Sequence, residues 1–242
     1  MSLPPTADAA IELIHRVVGY PLAFVVAPLA LATFAGAPGH RWAGKAYVVL
    51  MTYLYVTGTA LTLTRHEWAS WEFGRNVVFN LLGYSLLLHG FRSMWLRNHP
   101  DVPRPALLDR VLLGVLVVLV ISMTALALSA SNTPLHVFSA IGIALIVMEI
   151  REWREGLSPR ALYRRHVRYM LGSYFYVLTV VSLVHLRDEL SSDARWLWPS
   201  VLGVATIWLA DEHSRHTSRV MRAVIGVSLL FAAYVGFDLV AN

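Results

Sequence analysis

The sequence predicts an all-α, polytopic integral membrane protein with about eight transmembrane helices in a single domain, residues 1–242. Hydrophobic residues make up 57% of the 242 residues and charged residues only 14%, whereas a soluble domain carries about 25% charged residues. Long apolar runs follow one another along the chain, separated by short connections. The basic residues gather in alternate connections, as topology signals do, so the net charge of +5 does not indicate a nucleic-acid partner.

Eight apolar segments are long enough, with their flanking residues, to form helices across a hydrocarbon core of about 30 Å. The fifth and seventh segments are short for a span and need neighbouring residues to lengthen them. Asn132 or Thr133 is expected to cap the fifth helix, because short polar side chains accept hydrogen bonds from the first N–H groups of a helix. In chain order the segments are Ile11–Phe34, Gly44–Leu63, Asn76–Leu96, Leu107–Ser129, Leu135–Ile150, Tyr169–Leu186, Leu197–Ala210 and Val220–Val240.

The distribution of arginine and lysine predicts the orientation. With the N-terminus outside, fifteen of the twenty basic residues fall in inner connections and five in outer ones. Cytoplasmic connections carry the excess of basic residues in membrane proteins. Both termini are therefore expected on the outer side of the membrane. Membrane lipids are the expected binding partners of the apolar helices.

Histidines are the main candidate ligands for a metal or cofactor in this chain, which has ten histidines and no cysteine. The absence of cysteine excludes disulfides, iron–sulfur clusters and thiolate-ligated haem. Histidine enters the first, second, fifth and sixth helices, at His15, His40, His136 and His166. This placement predicts two parallel four-helix repeats, residues 11–129 and 133–240, with chance recurrence as the alternative.

The same four histidines predict haem b held by two histidine pairs. His15 with His136 would ligate iron near the outer face, and His40 with His166 near the inner face, because opposed helices bring two imidazoles to one iron. The alternative is that these histidines only hydrogen-bond to their neighbours. Small residues one turn after a ligand would let a porphyrin approach, and basic residues would pair with its propionates. The glycines are Gly19 and Gly44, and the basic residues are Arg41, Lys45, Arg165 and Arg168.

Two other arrangements could hold a metal ion. His213 and His216 share a helical face beside Asp211 and are candidate zinc ligands, although a solvated connection explains them too. Histidines near the outer face are an alternative site for zinc or copper. These are His15, His66, His136 and His185.

One motif resembles a bacterial family. Residues 36–47 read GAPGHRWAGKAY, a His-Arg-x-x-Gly-x-x-Tyr motif preceded by glycine, and His166-x-x-x-Met170 follows later. Together with His15, these motifs resemble an uncharacterised family of multi-pass membrane proteins, over about residues 11–185. The resemblance implies a protein of the bacterial inner membrane and no particular activity.

A second motif resembles haem A synthase. Residues 12–19 read ELIHRVVG, which is similar to the Glu-x-x-His-Arg motif whose histidine ligates haem in that family. That family also has eight helices in two similar halves. This chain differs in carrying the motif in its first helix, in its short length and in lacking cysteine. The resemblance adds to the expectation of haem but not of haem A synthesis.

Three functions therefore remain open. The first is a b-type cytochrome-like protein in transmembrane electron transfer, with quinone or a redox protein as partner. The second is a cofactor-free transporter or lipid-binding protein whose histidines relay protons. The third is a metal-dependent membrane enzyme. The sequence identifies no catalytic residue.

Overall fold

The computed structural model describes residues 5–33, 38–65, 68, 70–186, 189–212 and 217–241. Within these residues the protein forms eight helices and no strand, which confirms the predicted all-α class. The first helix, α1, continues from Pro5–Pro21 through a π-helical turn, Leu22–Val26, into Ala27–Ala32. The others are α2 (Pro38–Arg65), α3 (Trp71–Asn98), α4 (Leu107–Ala130), α5 (Thr133–Glu155), α6 (Pro159–His185), α7 (Ser192–Glu212) and α8 (Thr217–Ala241).

Six of these helices are long and apolar enough to cross a membrane. The polar residues Asn80, His89 and Arg92 interrupt the apolar surface of α3, and only residues 196–210 of α7 lie between Arg195 and Asp211. Over their described residues, α3 and α7 are therefore not among the helices that contain a sufficiently long apolar stretch. The six spans are Ala7–Ala32, Pro38–Arg65, Leu107–Ala130, Thr133–Glu155, Pro159–His185 and Met221–Leu239.

The first of two compact units is formed by residues 59–173. Here α4 packs against both α3 and α5. Phe79 of α3 meets Phe138 of α5 edge to face, with ring centroids 5.1 Å apart. The close packing of α4 and α5 needs a glycine, because a Cβ built on Gly142 would lie 2.5 Å from Val120 Cγ2. Small residues serve this purpose in membrane helices generally.

Short connections of this unit are held by polar side chains. The Asn132 side chain accepts a hydrogen bond from Leu135 N at 3.1 Å, which confirms the predicted cap of the fifth helix. Arg104 donates to the carbonyl oxygens of Leu96 and Leu157, at 2.6 and 3.2 Å. This arginine thereby joins the connection after α3 to the connection after α5.

The second unit comprises residues 3–58 and 174–242, where α8 packs against α7 and against the second half of α1. The π-helical turn of α1 has an identifiable cause. Ala27 N bonds to Leu22 O, and the next carbonyl, Ala23 O, would need the N–H that Pro28 lacks. The Tyr174 hydroxyl lies 3.3 Å from Ala23 O and supplies a donor there.

The predicted half-repeats, 11–129 and 133–240, stay a prediction.

Candidate functional site

Ionisable side chains are buried together inside the first unit. Burying one charge costs several kcal/mol unless it is paired and hydrogen-bonded. The residues in this buried charge cluster must therefore supply partners for one another. With their exposed fractions they are His89 (0%), Asp109 (1%), Glu149 (0%), Glu152 (9%), Arg165 (2%) and Arg168 (5%).

Glu149 lies at the centre of the cluster. Its Oε1 accepts from Arg165 Nη2. Its Oε2 accepts from the Tyr169 hydroxyl at 2.6 Å and lies 3.6 Å from His89 Nε2. The His89 and Tyr169 rings stack with centroids 4.9 Å apart. One carboxylate therefore joins an imidazole from α3 to a guanidinium and a phenol from α6.

The hydrogen bond of His89 Nδ1 determines which nitrogen faces Glu149. Nδ1 lies 2.8 Å from the Ser85 carbonyl oxygen, which can only accept, so Nδ1 carries a proton. In a neutral imidazole Nε2 is then unprotonated. An unprotonated nitrogen facing a carboxylate oxygen is repulsive, and their 3.6 Å separation is too long for a direct hydrogen bond. A proton shared by the two groups, or a water that donates to both, relieves this repulsion.

Two further ion pairs involve residues of the cluster, and one of them adds Arg92 of α3. Arg168 Nη2 donates to Glu152 Oε1 at 2.9 Å, and Arg92 Nε donates to Asp109 Oδ1 at 2.8 Å. Some buried polar atoms of the cluster have no hydrogen-bond partner among the described residues. Buried groups of this kind are normally satisfied by ordered water or a ligand. They are His89 Nε2, Glu152 Oε2, Arg165 Nε, Arg165 Nη1 and Arg168 Nη1.

Helical spacing and one glycine bring the cluster together. Glu149 and Glu152 are three residues apart in α5 and therefore share a face, as Arg165 and Arg168 do in α6. The helices α3 and α6 approach closely at Gly90, where a Cβ would lie 2.8 Å from Met170 Sδ. The sequence analysis missed the two glutamates. Their signal was two acids inside or just after an apolar run, at the same spacing as two arginines in the next helix.

The four predicted haem ligands each use Nδ1 in a hydrogen bond. His40, His136 and His166 bond to the backbone carbonyls of Ala30, Asn132 and Gly90, at 2.9, 2.8 and 2.9 Å. His15 Nδ1 lies 2.7 Å from Thr57 Oγ1. Each predicted pair takes one histidine from each compact unit. The pairings of His15 with His136 and of His40 with His166 stay predictions.

The residues predicted to accommodate a porphyrin have diverse surroundings. The Leu54 side chain lies 3.8 Å from a Cβ built on Gly19, whereas no described atom lies within 4 Å of one built on Gly44. Arg165 and Arg168 pair with glutamates, as described above. Arg41 and Lys45 line a surface cavity of about 250 Å³.

The predicted zinc residues have no side-chain description. Asp211 lies in α7, but only its backbone is described, and His213, His216 and His66 lie outside the described residues. Among the residues that the structure describes, no three His, Asp or Glu side chains are grouped so that they could hold a metal ion.

A second polar group occurs in the second unit. His185 Nδ1 lies 2.7 Å from Asp238 Oδ2, and His185 Nε2 lies 2.7 Å from the Tyr20 hydroxyl. The carboxylate orients the ring, and the phenol donates to the other nitrogen. These contacts join the ends of α6 and α8 to α1.

No protein-family model, curated protein or solved structure matches this chain. The resemblances to the uncharacterised bacterial family and to haem A synthase therefore stay predictions.

Proposed function

We propose that this chain is a multi-pass membrane protein that moves protons through the contact between His89 and Glu149, without a cofactor. Six helices long and apolar enough to span a bilayer support a membrane location. The proposal includes the bacterial inner membrane and both termini outside, because fifteen of the twenty basic residues then lie on the inner side. In this topology α3 and α7 also cross the membrane, and His89 and Ser93 of α3 and Ser200 and Thr206 of α7 are buried within the protein.

The observation that carries the proposal is the close approach of two buried proton acceptors, His89 Nε2 and Glu149 Oε2. Nε2 and Oε2 are 3.6 Å apart, and neither side chain is exposed. A proton held between them can sit on either group, because the imidazole nitrogen and the carboxylate oxygen both accept protons. A buried pair that holds one exchangeable proton is a proton-relay station, a common role for ionisable residues inside membrane segments.

The neighbours of the pair have distinct roles in this scheme. The Arg165 guanidinium stays charged and balances the Glu149 carboxylate. The Tyr169 hydroxyl donates to the same carboxylate and its ring covers His89. These contacts hold both groups in position while the proton changes place.

The test is proton flux into liposomes that contain the purified full chain and a trapped pH-sensitive dye. A potassium diffusion potential drives the flux. We expect the wild-type protein to acidify the lumen faster than empty liposomes, and Glu149→Gln to abolish the difference because the amide cannot take up the proton.

Glu155→Gln is the matched control, since it neutralises an exposed glutamate of the same helix. It should leave the flux unchanged. A wild-type flux equal to that of empty liposomes contradicts the proposal. A folded Glu149→Gln protein with the wild-type flux contradicts it as well.

A second candidate is the b-type cytochrome-like function, in transmembrane electron transfer or quinone-linked redox. It is favoured by the Nδ1 contacts of His15, His40, His136 and His166. Histidines that ligate metals typically donate their other N–H to a carbonyl or similar group, which orients Nε2 as the ligand. Zinc or copper would use the same nitrogen. Haem b held by two histidines would supply one-electron transfer and no open site for oxygen.

The visible spectrum of protein expressed with adequate haem, before and after dithionite, tests this candidate. We expect a Soret band that His15→Ala combined with His40→Ala weakens. A colourless protein, or a band unchanged in the double variant, contradicts haem ligation by these residues.

A further inference from the structure

A surface cavity of about 250 Å³ lies at the beginning of α2 and is lined by Pro38, Arg41, Trp42 and Lys45. The two basic side chains are exposed and form no ion pair with any described residue. They are four residues apart, so they lie on one helical face. The Trp42 side chain is 76% exposed beside them. The cavity thus combines an exposed indole with two positive charges that form no ion pair within the described part of the chain.

The position of these two charges is unfavourable for the helix by itself. Like charges four residues apart repel each other, and positive charge near a helix N-terminus opposes the helix dipole. The dipole acts on Arg41, which lies about one turn after the helix begins at Pro38, whereas Lys45 lies one turn further on and contributes through its repulsion of Arg41. The repulsion between the two charges and the unfavourable interaction with the helix dipole both become weaker when an anion lies between the side chains. The arrangement therefore favours a negatively charged ligand on chemical grounds that do not involve the buried charge cluster.

We propose that this cavity binds the phosphate group of an anionic phospholipid. The proposed topology puts the start of α2 on the inner side, where anionic lipids and basic residues attract each other. Trp42 suits this occupant, because indole rings sit at the level of lipid head groups. A guanidinium and an ammonium group both donate to phosphate oxygens, and the lipid chains run alongside the apolar surface of α2.

The test measures lipid binding to the delipidated full chain in detergent by native mass spectrometry. The probes are phosphatidylglycerol, phosphatidylcholine and inorganic phosphate. We expect phosphatidylglycerol to bind more tightly than phosphatidylcholine. The double variant Arg41→Gln with Lys45→Gln should weaken phosphatidylglycerol binding by about tenfold or more, because each basic residue contributes to attraction of anionic lipid.

The control is Arg154→Gln with Arg160→Gln, which removes two exposed positive charges outside the cavity lining. It should retain wild-type lipid binding. Equal losses in the two double variants would show a general charge effect and overturn the proposal, as would equal binding of the two lipids by the wild-type chain.

Two other occupants give distinct results. Displacement of phosphatidylglycerol by inorganic phosphate at equal concentration would assign the cavity to free phosphate. Loss of a haem spectrum in Arg41→Gln with Lys45→Gln, with lipid binding unchanged, would assign it to haem propionates. Either result overturns the lipid assignment. Thermal unfolding of each variant confirms that it remains folded.

Discussion

At the scale of single residues, Glu149 depends on its neighbours to compensate its buried charge. Its carboxylate is fully buried and accepts hydrogen bonds from Arg165 and Tyr169. A buried ion pair contributes little net stability, because desolvation of the two charges offsets their attraction. Removal of one partner is different, since the remaining charge stays buried without compensation.

We therefore predict that Arg165→Met lowers the free energy of unfolding by about 3–5 kcal/mol. Adding Glu149→Gln to Arg165→Met should recover part of this loss, because the uncompensated carboxylate is then removed. The measurement is unfolding in detergent, followed by circular dichroism, for both single variants and the double variant.

Arg151 and Glu155 provide the control pair for this prediction. They form an exposed ion pair in the same helix, and surface pairs of this kind contribute little. Arg151→Met should therefore leave the unfolding midpoint nearly unchanged. Strictly additive effects of the Arg165 and Glu149 substitutions would contradict the direct coupling described here.

At the scale of helices, glycine determines how closely α3 and α6 approach. A Cβ on Gly90 would lie 2.8 Å from Met170 Sδ and 3.2 Å from Met170 N. The same approach lets His166 Nδ1 reach the Gly90 carbonyl at 2.9 Å. The separation of these two helices also determines whether His89 of α3 meets Tyr169 of α6.

Gly90→Ala is expected to lower the free energy of unfolding by about 1–3 kcal/mol, because the added methyl forces α3 and α6 apart. Combining it with Met170→Ala should recover part of the loss, since the nearest side-chain atoms are then absent. Thermal unfolding in detergent measures both effects.

Gly114→Ala is the matched substitution in α4, where no described atom lies within 4 Å of the new Cβ. It should be neutral or slightly stabilising, because alanine is the better helix former. If Gly90→Ala proved as well tolerated as Gly114→Ala, the close approach would not be required.

At the scale of the whole molecule, the number of membrane crossings decides which ends of the helices share a side. Eight crossings with the N-terminus outside put the connections after α3 and α5 on the cytoplasmic side. If only the six helices that are long and apolar enough crossed, with the N-terminus again outside, the same connections would lie outside. The two topologies therefore differ at positions that reporters can reach.

We predict that reporter fusions at Asn98 and at Gly156 both report the cytoplasm, because the inner connections then carry most of the arginine and lysine. Alkaline phosphatase and a fluorescent protein at each position give complementary readouts. Phosphatase activity at either position would contradict the eight-helix topology.

The amino-acid sequence alone determined the helical class, the positions of the eight helices and the Asn132 cap. These depend on local features that a short window contains, namely long apolar runs and a capping residue before Thr133. The helices extend beyond the predicted apolar runs, by ten residues at the beginning of α6, because polar residues such as Glu72, Glu155 and Arg165 continue them.

Only the tertiary structure decided which charged residues meet inside the protein. His89 contacts Glu149 across sixty positions of sequence, and no local pattern specifies that contact. Arg165 and Arg168 pair with Glu149 and Glu152, because buried charges must be paired where the helices pack. Their predicted role as propionate partners stays a prediction. Residue spacing along the chain determines which side chains share one face of a helix. The partner of that face depends on how the helices pack, and here the close approach at Gly90 is what allows His89 and Tyr169 to meet.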